Sequence, residues 1–243
     1  QFYQKVVTNM SAPADTWINE MASLAAEEFV AEKIGVPGPR GVTASDGTAG
    51  SAGNRRGRLP LFNYWSEGPL TPWGALDSLV SYSTAYSFGS FLARNYGGTS
   101  LFRDIVQNAY SDEEAVVSAV ISQGFPPETF EGLLVKWGIA VLLSDKQDAN
   151  PGVRYNFGDY LDSTSGSVIY RLGSINMFNY SYTDSYGNTQ AGPYIYSSSG
   201  EVGIDEPFSI SNLYYYAGTV GSLNSASWDI TLPEGVRLTV VIK

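Results

Sequence analysis

Thr16-Trp17-Ile18-Asn19-Glu20-Met21-Ala22-Ser23-Leu24-Ala25-Ala26-Glu27-Glu28 sets Trp17, Met21, Leu24 and Ala25 at helical spacing, and its reading decides the class of the first half of the chain. Asp15 or Thr16 serves as N-cap, and Gly35 followed by Pro37 is a stop, so the spacing predicts a helix that ends near residue 35. Glu20 and Glu27 lie seven residues apart on it. That is about two turns, or roughly 10 Å along the axis, which puts both acids on one face with Leu24 between them. Carboxylates on a helix otherwise built for burial need a cation or a metal, because stripping water from a lone carboxylate is costly.

Outward from this stretch the helical pattern continues. A helix is expected from about Ala75 to Tyr96, ending in Gly97-Gly98, with Leu79, Tyr82, Tyr86 and Ala93 on one face. Thr99 to Asn108 reads as another. Ser111-Asp112-Glu113-Glu114 fits a capping box opening a helix that closes near Gly124, and Pro126-Pro127 begins the next, through Trp137 to Leu143. Between the first two helices, residues 36–58 are rich in Gly, Ala, Ser, Thr and Pro and carry Arg55, Arg56 and Arg58, which predicts a long mobile loop.

After Asn150 the class changes. Val168-Ile169-Tyr170-Arg171-Leu172, Tyr194-Ile195-Tyr196 and Leu238-Thr239-Val240-Val241-Ile242 are β-branched and aromatic runs separated by turn residues such as Ser185-Tyr186-Gly187-Asn188 and Ser198-Ser199-Gly200. The expected fold is therefore α+β: a helical subdomain over residues 1–149, then a β-rich module over 150–243, taken as a small sandwich.

With 243 residues, 43% of them hydrophobic and 14% aromatic, the chain is long enough to bury a substantial core. Only 16% of residues are charged, against roughly 25% in an average soluble domain. This polar but uncharged composition suits an extracellular, cell-surface or periplasmic protein. A net charge of −10 argues against nucleic acid and anionic membranes as partners, and no apolar run reaches the ~18 residues of a transmembrane helix.

The chain has no histidine and no cysteine. That excludes a Ser-His-Asp triad, a thiolate nucleophile and a complete zinc site built from this chain alone. A two-carboxylate glycosidase using Glu20 and a second acid remains open on inventory, without a local motif to support it. No Gly-rich nucleotide loop is present.

Trp17-Ile18-Asn19-Glu20-Met21-Ala22-Ser23 with Glu27 resembles the W-x-N-E-G segment of gluzincin-type zinc metallopeptidases. Ser81 to Gly98, ending Arg94-Asn95-Tyr96-Gly97-Gly98, is similar to the Tyr-rich helix of the hyicolysin-like members, known from bacterial surface and secreted proteins. Within it Tyr86-Ser87-Phe88-Gly89 matches the Tyr-x-x-Gly of related aminopeptidases. Over residues 1–140 the resemblance implies that Glu20 is the third zinc ligand, that Glu27 orients the site from behind it, and that the Tyr86 hydroxyl stabilises the oxyanion. It also implies an upstream H-E-x-x-H helix with two histidine ligands and a general base, so this chain would be the inactive downstream portion of a peptidase acting on peptide or protein substrates. Met21 departs from the usual Gly.

Each assignment has a plainer rival. Glu20 also suits the first turn of a helix, and Glu27 and Glu28, near Glu32 and Lys33, suit a solvated face. Tyr82 and Tyr86 at helical spacing suit a core. Arg94 near a helix C-terminus suits the dipole, and the Arg55-Arg56-Arg58 cluster suits a solvated loop. If the peptidase scaffold is degenerate, the Tyr-rich β-module suits a surface adhesion role with a glycan or protein ligand.

Overall fold

The computed structural model describes residues 13–34, 38–41, 57–197, 210–216, 232 and 234–243. Residues 1–12, most of the 36–58 loop including Arg55 and Arg56, and the turn at Ser198-Ser199-Gly200 lie outside the described residues.

Helices come first and short strands follow, a mixed α+β arrangement. The helices are α1 (Thr16–Ile34), α2 (Arg58–Tyr64), α3 (Ser78–Asn95), α4 (Thr99–Gln107), α5 (Glu114–Ser122) and α6 (Phe130–Leu142). The Asp15 carbonyl accepts the Asn19 N–H at 3.2 Å, opening α1 at the expected place. Helix α3 starts at the Asp77 carboxylate, which accepts the Leu79 N–H at 2.7 Å, and stops where Gly97 and Gly98 take φ of 106° and 57°. The capping box expected at Ser111 does not form. Helix α5 begins at Glu114, whose N–H is taken by the Asp112 carboxylate at 3.2 Å. Leu79, expected on the buried face of α3, is 49% exposed.

Helix α2 was not expected from the sequence. Pro60 stands in its first turn, where a missing N–H costs nothing because no carbonyl precedes it to be paired. Its apolar residues Leu59, Leu61 and Phe62 are all buried.

The core centres on Trp137 of α6, fully buried, with its ring 5.3 Å from Phe88 and 5.6 Å from Phe62. Trp17 joins α1 to this cluster through Phe130 at 5.6 Å. Helix α1 lies across α3 at close range: a Cβ added to Gly89 would stand 2.7 Å from Met21 Cγ. Gly89 is thus small because Met21 occupies the space in front of it.

The strands are β1 (Leu161–Ser165) antiparallel to β2 (Val168–Leu172), β3 (Ser181–Thr183) antiparallel to β4 (Thr189–Ala191), and β5 (Tyr196–Ser197) parallel to β6 (Tyr215–Tyr216). Among the described residues these are three separate two-stranded ladders, and the run Leu238–Ile242 is exposed and unpaired apart from a half-buried Val241. What anchors them is the helical half. Asn63 of α2 donates from Nδ2 to the carbonyls of Met177 and Tyr180 at 2.7 and 2.8 Å. The Tyr155 hydroxyl reaches into the core, where it accepts from Trp137 Nε1 at 3.0 Å and donates to the Ser87 carbonyl. The Thr99 N–H is held by Ser163 Oγ at 2.8 Å. No described helix is long and apolar enough to cross a membrane.

Candidate functional site

Helix α1 sorts its acids by burial. Glu20 is half-buried and Glu27 exposed, and neither makes a hydrogen bond or an ion pair among the described residues. Arg58, at the start of α2, supplies the nearby positive charge. Its guanidinium lies 5.0 Å over the Tyr82 ring. Partial burial pulls the Arg58 pKa below its ordinary value, while the charges of Glu27, Tyr82 and Glu20 oppose that. Arg58 therefore lies against Tyr82 of α3 and within electrostatic reach of Glu20 and Glu27 of α1.

Glu28, one residue further, is in a different environment. It is 3% exposed and pairs with Arg94, whose side chain is wholly buried: Arg94 Nη2 to Glu28 Oε1 is 2.6 Å and Arg94 Nη1 to Oε2 is 3.3 Å. Ser90 Oγ donates to Oε2 at 3.1 Å. Arg94 also donates to the Gly173 carbonyl from Nη2 at 2.8 Å and from Nε at 3.2 Å. Burial alone would raise the Glu28 pKa, but the charge and hydrogen bonds of Arg94, with Arg40 and Ser90, hold it below its ordinary value. Arg94 was expected to answer the α3 dipole; it does donate to the Ser90 carbonyl at 3.0 Å, but its main partner is Glu28.

Tyr86 stands with this buried pair. It is 1% exposed, and among the described residues its hydroxyl makes no well-aligned hydrogen bond, although the Ser90 side chain lies close enough to favour the ionised form slightly. Burial pushes its phenol well above 10, and the Glu28 charge acts in the same direction. Of the residues singled out in the sequence, Glu20 and Glu27 are thus brought together with Tyr82 through Arg58, while Tyr86 is grouped with Glu28 and Arg94. Sequence reasoning passed over Glu28 because Glu27, Glu32 and Lys33 around it read as one charged face. The only hint was the Arg94 that ends the Tyr-rich helix.

Zinc is the metal the resemblance implies. Glu20 offers it an oxygen from a well-formed helix, which suits one ligand of a zinc site. No group of three or more His, Cys, Asp or Glu side chains among the described residues is placed to hold a metal ion, so any remaining ligands would come from elsewhere. No family model matches the chain, and no curated protein matches it.

Proposed function

We propose that the chain is the downstream portion of a secreted or surface zinc metallopeptidase, inactive by itself, in which Glu20 is a metal ligand. The observation that carries this reading is the contact of Met21 with Gly89. It joins the Asn19-Glu20-Met21 and Tyr86-Ser87-Phe88-Gly89 segments, 66 residues apart from Glu20 to Tyr86, that bear the resemblance. Glu20 supports it as well, being a half-buried acid with no ion-pair partner among the described residues while Glu28 on the same helix is neutralised.

Zinc, when bound, would supply a Lewis acid and an activated water. Glu20 would give it one oxygen, and Glu27, two turns further along the same helix, would orient a histidine ligand or a main-chain group without touching the metal. Tyr86 is the assigned oxyanion donor, and Tyr82, over which Arg58 lies, is its rival. In the full-length protein, Glu20→Gln is expected to lower peptide hydrolysis by more than about 100-fold, beyond the loss typical of an outer-sphere residue. Unchanged hydrolysis would refute the assignment. Tyr86→Phe and Tyr82→Phe decide between the two hydroxyls, since only the true donor lowers kcat when its oxygen is removed.

A second reading, a non-catalytic adhesion protein on a degenerate peptidase scaffold, is favoured by Tyr160, Tyr186 and Tyr216, all more than half exposed. A blank screen against glycans and host proteins would remove it.

A further inference from the structure

A second site lies where the helical half meets the strands, away from Glu20. After α6 the chain turns through Asp145 and Gln147, and these face Asn156 and the segment 174–180 across a pocket of about 430 Å³. That volume is within the range of small-molecule sites, roughly 300–1,000 Å³. The lining is unlike an ordinary apolar ligand pocket. Four of its side chains are amides, from Gln147, Asn156, Asn176 and Asn179, and Tyr180 contributes a buried ring.

The amides are held in place from behind. Asn156 Oδ1 accepts the Gly158 N–H at 3.1 Å, and Asn176 Oδ1 accepts the Phe178 N–H at 3.0 Å. Among the described residues neither side chain's N–H2 group has a partner, and that of Asn156 belongs to a residue only 9% exposed. Ser174 Oγ is fixed between the Phe157 N–H and the Asp159 carbonyl. At the exposed rim, the side chains of Gln147 and Asn179 make no hydrogen bond among the described residues and keep both their donors and their acceptors. The one carboxylate in the lining, Asp145, is matched by Lys243 at 2.8 Å. The pocket is thus close to neutral, rich in donors with some acceptors, and preorganised at its floor.

We propose that this pocket binds a single pyranose unit, either as a free sugar or as the end residue of a glycan. Hydroxyl groups both donate and accept, which matches a mixed amide lining; a near-neutral lining offers an anion no net attraction, and an apolar ligand would strand the Asn156 amide. The site draws on residues before and after position 150, so it belongs to neither half alone. It does not depend on the reading of Glu20, whose test can fail while this one succeeds.

The test is calorimetric titration of the whole chain with glucose, galactose, mannose and N-acetylglucosamine, their methyl glycosides, and a glycan array, with sodium phosphate as the anionic probe. Millimolar binding of at least one sugar is expected, weakened about tenfold or more by Gln147→Ala combined with Asn179→Ala, two exposed positions that leave the floor intact. Binding of the free sugar and binding only on the array distinguish the two sources, and both support the proposal. It is overturned if neither a free sugar at tens of millimolar nor any glycan on the array binds, if phosphate binds in their place, or if the double variant binds as the parent does.

Discussion

Helix α1 presents two glutamate–arginine groups that differ chiefly in their access to water. Glu28 and Arg94 are sealed in the core, held by six hydrogen bonds to each other, to Ser90 of α3 and to the Gly173 carbonyl. Glu20 and Glu27 share Arg58 at longer range, in a half-open position, without a direct bond among the described residues. The same residue types thus serve two ends. A buried pair is saturated and fixes how α1, α3 and the strand half fit together, whereas a half-open acid keeps an oxygen available for another ligand.

The largest effect separating the two groups should come from Arg94→Met, which strands Glu28 in the core and is expected to cost about 3–5 kcal/mol in urea unfolding. Replacing Glu28 by Met as well should recover most of that loss, because two apolar side chains leave no charge behind. A double variant no more stable than Arg94→Met alone would break the comparison.

Next is the contact that places α1 on α3. Gly89→Ala is expected to cost about 1–3 kcal/mol, since its Cβ would stand 2.7 Å from Met21 Cγ. Met21→Ala in the same chain should relieve part of it, measured as a coupling in a double-mutant cycle.

The pH dependence sharpens the contrast. The Glu28 pKa is held below its ordinary 4.5 in the folded state, so its ion pair contributes stability that is present above that value and is lost as pH falls through the folded pKa. The chain should lose stability in acid, and Glu28→Gln should flatten that limb in thermal melts taken from pH 5 downward. An equally steep acid limb in Glu28→Gln would assign the sensitivity elsewhere. The smallest effect is expected of Arg58→Ala, at most about 1 kcal/mol, because its attraction to Glu20 and Glu27 acts at longer range in a partly solvated position.

What the sequence made legible follows from how local each signal is. The start of α1 and the C-terminal end of α3 rest on neighbours in the chain, Asp15, Gly97 and Gly98, whereas α3 begins at Ser78 behind the Asp77 cap, three residues after the expected Ala75. The α2 helix escaped notice because seven residues with a proline inside give too little periodicity to recognise. Glu28 escaped because its partner is 66 residues away in sequence, on another helix. The β-rich half was legible as strands by composition but not as an arrangement, since β1 is held by Thr99 and the segments around Tyr155 and Met177–Tyr180 by Asn63, Ser87 and Trp137, all of the helical half. The amide pocket was invisible for the same reason, its lining coming from scattered positions between Asp145 and Tyr180.

The most direct measurement is the zinc content of the full-length protein carrying Glu20→Gln, compared with Glu27→Gln and with the parent at matched thermal stability. A metal-to-protein ratio that collapses for Glu20→Gln, falls only partly for Glu27→Gln, and leaves the melting temperature of the apo forms unchanged is the expected result. Full zinc occupancy in the folded Glu20→Gln protein would contradict the account.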